Sequence, residues 1–138
     1  MPSSPAVHPR SRGGWAVLTG LLLIEAFFGI VVVFFSILGA MNSAGTLGQN
    51  LSLVLAAAIS WIWVVVTLVG ALRGRPSWAR GSALTIHVLL FAAGTGILQL
   101  QLLAWQFGFA IVAVGVVGFV AAMLARPADR PTLEGEED

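Results

Sequence analysis

Long runs of apolar residues, separated by short polar segments, dominate the chain. A helix that crosses about 30 Å of hydrocarbon needs roughly 20 consecutive apolar residues. Runs of about that length cover residues 15–40, 51–72, 81–103 and 109–125. A helix also satisfies its own backbone hydrogen bonds inside a bilayer, where no water is present to do so. The pattern therefore predicts an all-α, polytopic membrane protein with four transmembrane helices in an up-down bundle.

The segments between the runs consist of turn-forming and polar residues. Residues 42–50 combine Asn, Ser, Gly and Thr without a charge, which is typical of a loop. In the hinge, defined as residues 73–80, Pro76 interrupts the helical pattern and Ser77 is a candidate N-cap for the third helix. A tight turn is expected at residues 105–108. The four spans thus form two hairpins joined by the hinge.

The positive charges indicate how the spans are oriented. All seven are Arg, and they lie in the N-terminal segment, the hinge and the C-terminal segment, whereas the two remaining loops carry none. Because Arg accumulates on the cytoplasmic side, we expect a bacterial plasma-membrane protein with both termini in the cytoplasm. Four hinge residues are predicted to set this topology and to contact lipid headgroups: Arg73, Arg75, Trp78 and Arg80.

The composition excludes a water-soluble domain. The chain is 58% hydrophobic and 9% charged, where an ordinary soluble domain is about one quarter charged. The Arg residues flank apolar runs instead of forming a basic stripe, so the expected partner is the lipid bilayer and not nucleic acid. Residues 1–14 are predicted to be a disordered cytoplasmic tail, and residues 126–138 an acidic cytoplasmic tail.

Glu25 is the single charge inside the first apolar run. It lies about ten residues inside that run, or roughly 15 Å deep at about 1.5 Å per residue. A carboxylate at this depth must pair with another group, face a water-filled cavity or take up a proton, so it is a candidate functional site. The alternative is a hydrogen-bonded Glu that holds helices together.

His87 is the candidate partner of Glu25. The hinge makes the first and third spans parallel, and His87 lies about five residues inside the third, near 8 Å deep. Glu25 is then roughly one helical turn deeper, a gap that two side chains or one water can bridge. A proton relay or a buried ion pair would require the two residues to face each other. The alternative is a histidine that only packs and hydrogen-bonds locally.

The other polar and small residues suggest structural roles. Gln99 and Gln101 point about 200° apart on a helix and so do not line one face. Trp61 and Trp63 lie within a span, where they either stack on a cationic ligand or pack against helices and lipid. Small residues spaced by four would allow close helix contacts, within the bundle or between chains. They are Ala16/Gly20, Ala56/Ser60, Ala92/Gly96, Gly118/Ala122 and Ala121/Ala125.

Motifs for enzyme chemistry are missing from the sequence. There is no Cys, no HExxH, no Walker loop, no GxSxG, and no cluster of His or carboxylates that would bind a metal or haem. We therefore expect a protein that is not an enzyme and has no cofactor.

Two resemblances bear on the fold. The hinge sequence Arg75-Pro-Ser-Trp-Ala-Arg80, followed by Ala83-Leu-Thr-Ile-His-Val-Leu-Leu and Gly96-Ile-Leu-Gln99, resembles uncharacterised four-span membrane proteins of actinobacteria. This resemblance implies a fold and a plasma-membrane location. Glu25 in the first of four spans is also similar to the essential Glu of small multidrug resistance transporters, with Trp61 and Trp63 in the place of an aromatic cage. The residues that surround the essential Glu in that family are not found around Glu25, and this chain contains no Tyr.

Two functions are compatible with these features. The first is a non-enzymatic accessory or scaffold protein that forms a homo-oligomer or binds a larger membrane protein through helix contacts. It is favoured by an apolar fourth span and by charged tails. The second is a small proton-coupled transporter centred on Glu25.

Overall fold

The computed structural model describes residues 9–127, which form four helices. They are α1 (Pro9–Asn42), α2 (Leu47–Arg73), α3 (Ser77–Leu100) and α4 (Trp105–Leu124). All four are long and apolar enough to cross a membrane. The prediction of an all-α chain with four apolar helices is thus confirmed. Most of each predicted tail, at positions 1–8 and 128–138, lies outside the described residues.

The first helix begins earlier than its apolar run. It starts at Pro9, so residues 9–14, predicted to belong to a tail, are helical. The early turns have partners just after the end of α4: Gly14 lies against the backbone of Ala125, and Ser11 Oγ accepts a hydrogen bond from the Arg126 N–H. Packing on a distant segment, which the local composition does not reveal, therefore extends α1.

The connection between α3 and α4 differs from the prediction. Residues 105–108 are the first turn of α4 and not a tight turn. The chain instead reverses over residues 101–104, where Gln101 adopts a left-handed conformation with φ of 50°. The Gln101 N–H donates to Ile97 O, which closes the end of α3. Glycine usually occupies this conformation and residue 101 is a glutamine, so nothing in the local sequence indicates the turn.

Helix capping explains the other two boundaries. Thr46 and Gln49 form a reciprocal capping box that starts α2 at Leu47, and the Thr-x-x-Gln spacing in the sequence is the signal for it. The prediction that Ser77 caps α3 was wrong. Pro76 occupies the cap position without a side-chain hydrogen bond, and Ser77 is the first helical residue. Proline suits this place because it has no N–H group, and an N–H at the start of a helix would have no partner within the helix.

The helices pack in a ring. Each helix contacts its neighbours in the sequence, and α1 contacts α4, so α1 and α3 lie on a diagonal of the bundle. The α3–α4 contact is the most extensive and the α2–α3 contact the least. Close approaches at Gly94, Gly108 and Gly115 bring the backbones of α3 and α4 together, as small residues do in membrane helix pairs.

The two hairpins share a core only at the hinge end. The buried residues of α1 end at Leu22, and those of α2 begin at Thr67. Farther from the hinge, the close contacts lie within a hairpin: Gly29 against Trp61 in the first, and Gly94 against Val112 in the second. Bulky apolar side chains of the outer halves therefore remain exposed.

Candidate functional site: a carboxyl–imidazole pair across the bundle

Glu25 and His87 meet at the centre of the bundle. Glu25 Oε1 lies 3.1 Å from His87 Nε2, and the side chains are 11% and 0% exposed. One residue comes from each hairpin, so the contact spans the α1–α3 diagonal. It is also farther along α1 and α3 than the other contacts between hairpins described here. The structure thus brings together the two residues that the sequence placed at comparable depth.

The position of Glu25 follows from the spacing of the buried residues in α1. Trp15, Leu18 and Leu22 are buried at intervals of three and four, which places them on one helix face. Glu25 continues the same series by one more step of three. Its side chain therefore points into the bundle along the buried face of α1 and not toward the outside.

The imidazole of His87 is held by α3 and α4. His87 Nδ1 lies 2.7 Å from the carbonyl oxygen of Ala83, one turn earlier in the same helix. The ring packs on Gly118 of α4, where a Cβ atom would overlap it. At Gly115, one turn away, an added Cβ would lie only 2.9 Å from His87 O. These glycines let α3 and α4 approach closely enough to enclose the ring.

The polar atoms of the pair are incompletely satisfied. Both carboxyl oxygens of Glu25 and Nε2 of His87 are buried and lack a hydrogen bond with suitable angles within residues 9–127. The separation of 3.1 Å between Oε1 and Nε2 is a hydrogen-bonding distance, so alignment and not distance is what is missing. An unsatisfied buried polar group costs about 1–3 kcal/mol. A contact that served only to hold helices together would gain by being fully bonded.

The surroundings of the pair are apolar. Beside His87 is a cavity of about 270 Å³, whose other lining residues are Val88, Phe91, Gly115, Val116 and Phe119. Helix α4 carries no titratable residue, and α2 carries only Arg73 at its end. The described residues contain no cluster of three or more potential metal ligands. The chemistry available here is the binding and transfer of a proton.

The mid-span tryptophans join helices through hydrogen bonds. Trp61 Nε1 donates to Ala26 O at 2.9 Å, within the first hairpin. Trp63 Nε1 donates to Ser82 Oγ at 2.7 Å, between the hairpins, and Ser82 also bonds Thr67. Both indoles therefore pack against helices, the second of the two alternatives raised by the sequence. Ser82 and Thr67 were not singled out there, and their only sequence signal is a polar side chain within a span.

The four hinge residues do not form one patch. Arg80 Nε donates to Ala122 O at 3.0 Å, and its Nη2 lies 3.4 Å from Met123 O, so this guanidinium caps the end of α4. Arg75 lies over the Trp15 ring at 5.9 Å. Arg73 and Trp78 border an apolar groove between α2 and α3. Arg80 and Arg75 thus have intramolecular partners, while Arg73 is exposed.

The two glutamines are exposed near the turn at the outer end of the second hairpin, and neither faces the Glu25–His87 pair. Gln99 belongs to the last turn of α3, and Gln101 ends that helix. The site accordingly consists of Glu25 and His87, with Ala83 and Gly118 as supports. No protein-family model, curated protein or solved structure matches the chain.

Proposed function

We propose that the chain is an integral protein of the bacterial plasma membrane, with four spans and both termini in the cytoplasm. The support is the four apolar helices together with the placement of Arg at the start of α1, in the hinge and after α4. Arg on these three segments, and its absence from the two other loops, supports a hinge on the cytoplasmic side.

Cysteine labelling tests this topology, because the chain has no native Cys. Leu47→Cys puts a thiol next to the first loop, at a residue that is 83% exposed. Gly74→Cys puts one in the hinge, where an added Cβ meets no atom within 4 Å. A membrane-impermeant thiol reagent should label intact cells at position 47 only. Labelling at position 74 only would indicate the opposite topology, with the hinge outside the cell.

The function that the geometry supports best is that of a non-enzymatic accessory protein, acting through contacts between helices. The observation that carries it is that some of the small residues spaced by four are buried in the bundle, while others lie on free helix faces. Gly118/Ala122 and Ala121/Ala125 are buried inside the bundle. Gly20 and Gly96 lie on helix faces where an added Cβ meets no atom within 4 Å. Such faces suit close packing with a further helix, from a second copy or from a larger membrane protein.

Crosslinking in native membranes followed by affinity capture tests the proposal. We expect a stoichiometric partner or a dimer, and we expect Gly20→Leu and Gly96→Leu to reduce its yield. Gly13→Leu is the matched control, because Gly13 also has no neighbour within 4 Å but lies at the first turns of α1, outside the apolar run. Recovery of monomer alone, with no stoichiometric partner, would refute the accessory function.

A second candidate is a small proton-coupled transporter centred on Glu25. The contact between Glu25 and His87 favours it, because a carboxyl and an imidazole in contact inside a bundle can exchange a proton. In proteoliposomes, proton movement that depends on substrate should be abolished by Glu25→Gln and altered by Glu25→Asp. If Glu25→Gln matches the wild type in both folding and function, Glu25 is neither a coupling site nor a significant helix contact.

A further inference from the structure

The proton on Nδ1 of His87 has a defined place. Nδ1 lies 2.7 Å from the carbonyl oxygen of Ala83, and a carbonyl oxygen only accepts hydrogen bonds. Nδ1 must therefore carry a proton and donate it, whether the ring is neutral or charged. Nε2 is then the nitrogen whose protonation varies, and it is the nitrogen that lies against Glu25.

The contact between Nε2 and Oε1 selects among three occupancies. With no proton between them, a carboxylate faces a nitrogen lone pair, and the pair carries a buried negative charge. With two protons, the carbonyl oxygen of the protonated carboxyl group can still accept from the N–H, but the pair carries a buried positive charge. With one proton, a donor faces an acceptor and the pair is neutral overall. Only the last arrangement joins a donor to an acceptor, at a separation of 3.1 Å, without a net charge on the buried pair.

The rest of the bundle does not offset a net charge on the pair. Glu25 is the only acidic residue between positions 9 and 127. The Arg residues of α1 are Arg10 and Arg12 at its start, α2 has only Arg73 at its end, and α4 has none. The remaining basic residue of α3 is Arg80, which caps α4. A charged pair would thus be left in apolar surroundings, where the loss of hydration strongly disfavours it.

We propose that Glu25 and His87 form a single proton-binding site, which holds one proton between Oε1 and Nε2 and is neutral overall. Transfer within the site breaks the O–H bond of the carboxyl group and forms the N–H bond at Nε2, leaving a carboxylate and an imidazolium. The total charge does not change. A small rotation of the carboxyl group about its soft terminal torsion aligns the two atoms.

The location of the site gives this proton a further consequence. Oε1 and Nε2 are both buried, so exchange of the proton with water requires a movement that exposes them. The pair joins the two hairpins at the outer limit of their shared core. Gain or loss of a proton would leave a net charge on the buried pair and so weaken the contact between the hairpins at that point. The site therefore links proton occupancy to the separation of the hairpins, whether the protein is an accessory subunit or a transporter.

The proton count is measurable on the full chain in lipid nanodiscs. The chain has two His, so His8→Gln leaves His87 as the only one. Nitrogen-15 NMR of labelled histidine reports the protonation of Nδ1 and Nε2 separately. The infrared difference between this protein and its Glu25→Gln variant reports the C=O stretch of a protonated Glu25. At neutral pH we expect a protonated Nδ1 and one proton in total on Oε1 and Nε2.

Each result decides the matter. A protonated carboxyl with an unprotonated Nε2, or a carboxylate with a protonated Nε2, supports the single-proton site. A count of zero or two, or an unprotonated Nδ1, overturns it. Neither crosslinking nor transport enters this measurement, so it fails independently of the proposed function.

Discussion

Gly118 lies directly against the imidazole of His87, and a methyl group at position 118 would overlap the ring. We expect Gly118→Ala to push His87 away from Glu25 and to lower the free energy of unfolding by about 1–3 kcal/mol, as overpacking does. Unfolding in mild detergent, followed by circular dichroism, measures the loss. Nitrogen-15 NMR of His87 should show the altered contact with Glu25.

Gly96→Ala is the control for this substitution. Gly96 is also a helical glycine, but a methyl group there meets no atom within 4 Å. Alanine favours the helix over glycine by up to about 1 kcal/mol, so this variant should be as stable as the wild type or slightly more stable. If both variants behaved alike, the close packing of Gly118 on His87 would not exist in the membrane.

Adjacent glycines in α1 provide a second test, of the contact that closes the ring. A Cβ at Gly14 would lie 2.8 Å from the backbone nitrogen of Ala125, whereas one at Gly13 would meet nothing within 4 Å. We expect Gly14→Ala to destabilise the protein by about 1–3 kcal/mol, because a rigid backbone must move. Gly13→Ala should be neutral. Equal stability of the two variants in the same unfolding assay would argue that the start of α1 does not pack on α4.

The sequence predicted the depth of Glu25 and His87 but not their contact. Depth follows from counting residues along apolar runs, which is a local property. Contact also depends on how far each helix is rotated about its axis. That rotation is set by packing partners that are distant in the sequence. For α3 they include Gly115 and Gly118 of α4, whose spacing is visible in the sequence, although the residues they pack against are not. The turn at Gln101 was missed for a different reason. Its left-handed conformation usually marks a glycine, and no glycine stands at this position.

The structural role of Arg80 can be separated from the role in topology that we propose for it. It donates to Ala122 O at the end of α4, where backbone carbonyls lack partners within the helix. We expect Arg80→Gln to lower the free energy of unfolding by about 1.5 kcal/mol, the lower end for hydrogen bonds of charged groups, because the side chain is only half-buried.

Arg73→Gln is the matched control for Arg80→Gln. Each substitution removes one positive charge from the hinge, so each should affect insertion to the same extent. Arg73 is exposed, and its replacement should change stability by less than about 0.5 kcal/mol. An equal loss of stability for both would mean that the charge of Arg80, and not its contact with α4, stabilises the protein.

A double-mutant cycle measures the energy of the Glu25–His87 contact itself. Groups in direct contact typically show a coupling energy of about 0.5–3 kcal/mol, and we expect a value in that range between Glu25→Ala and His87→Ala. Each single variant takes the facing group away from a buried polar side chain, so the double variant should be more stable than the sum of the single losses implies. The control cycle pairs Glu25→Ala with Thr85→Ala, because the Thr85 hydroxyl donates to Gly81 O within its own helix. Its coupling should be close to zero. A Glu25–His87 coupling as small as the control would mean that the two side chains do not interact in the folded protein.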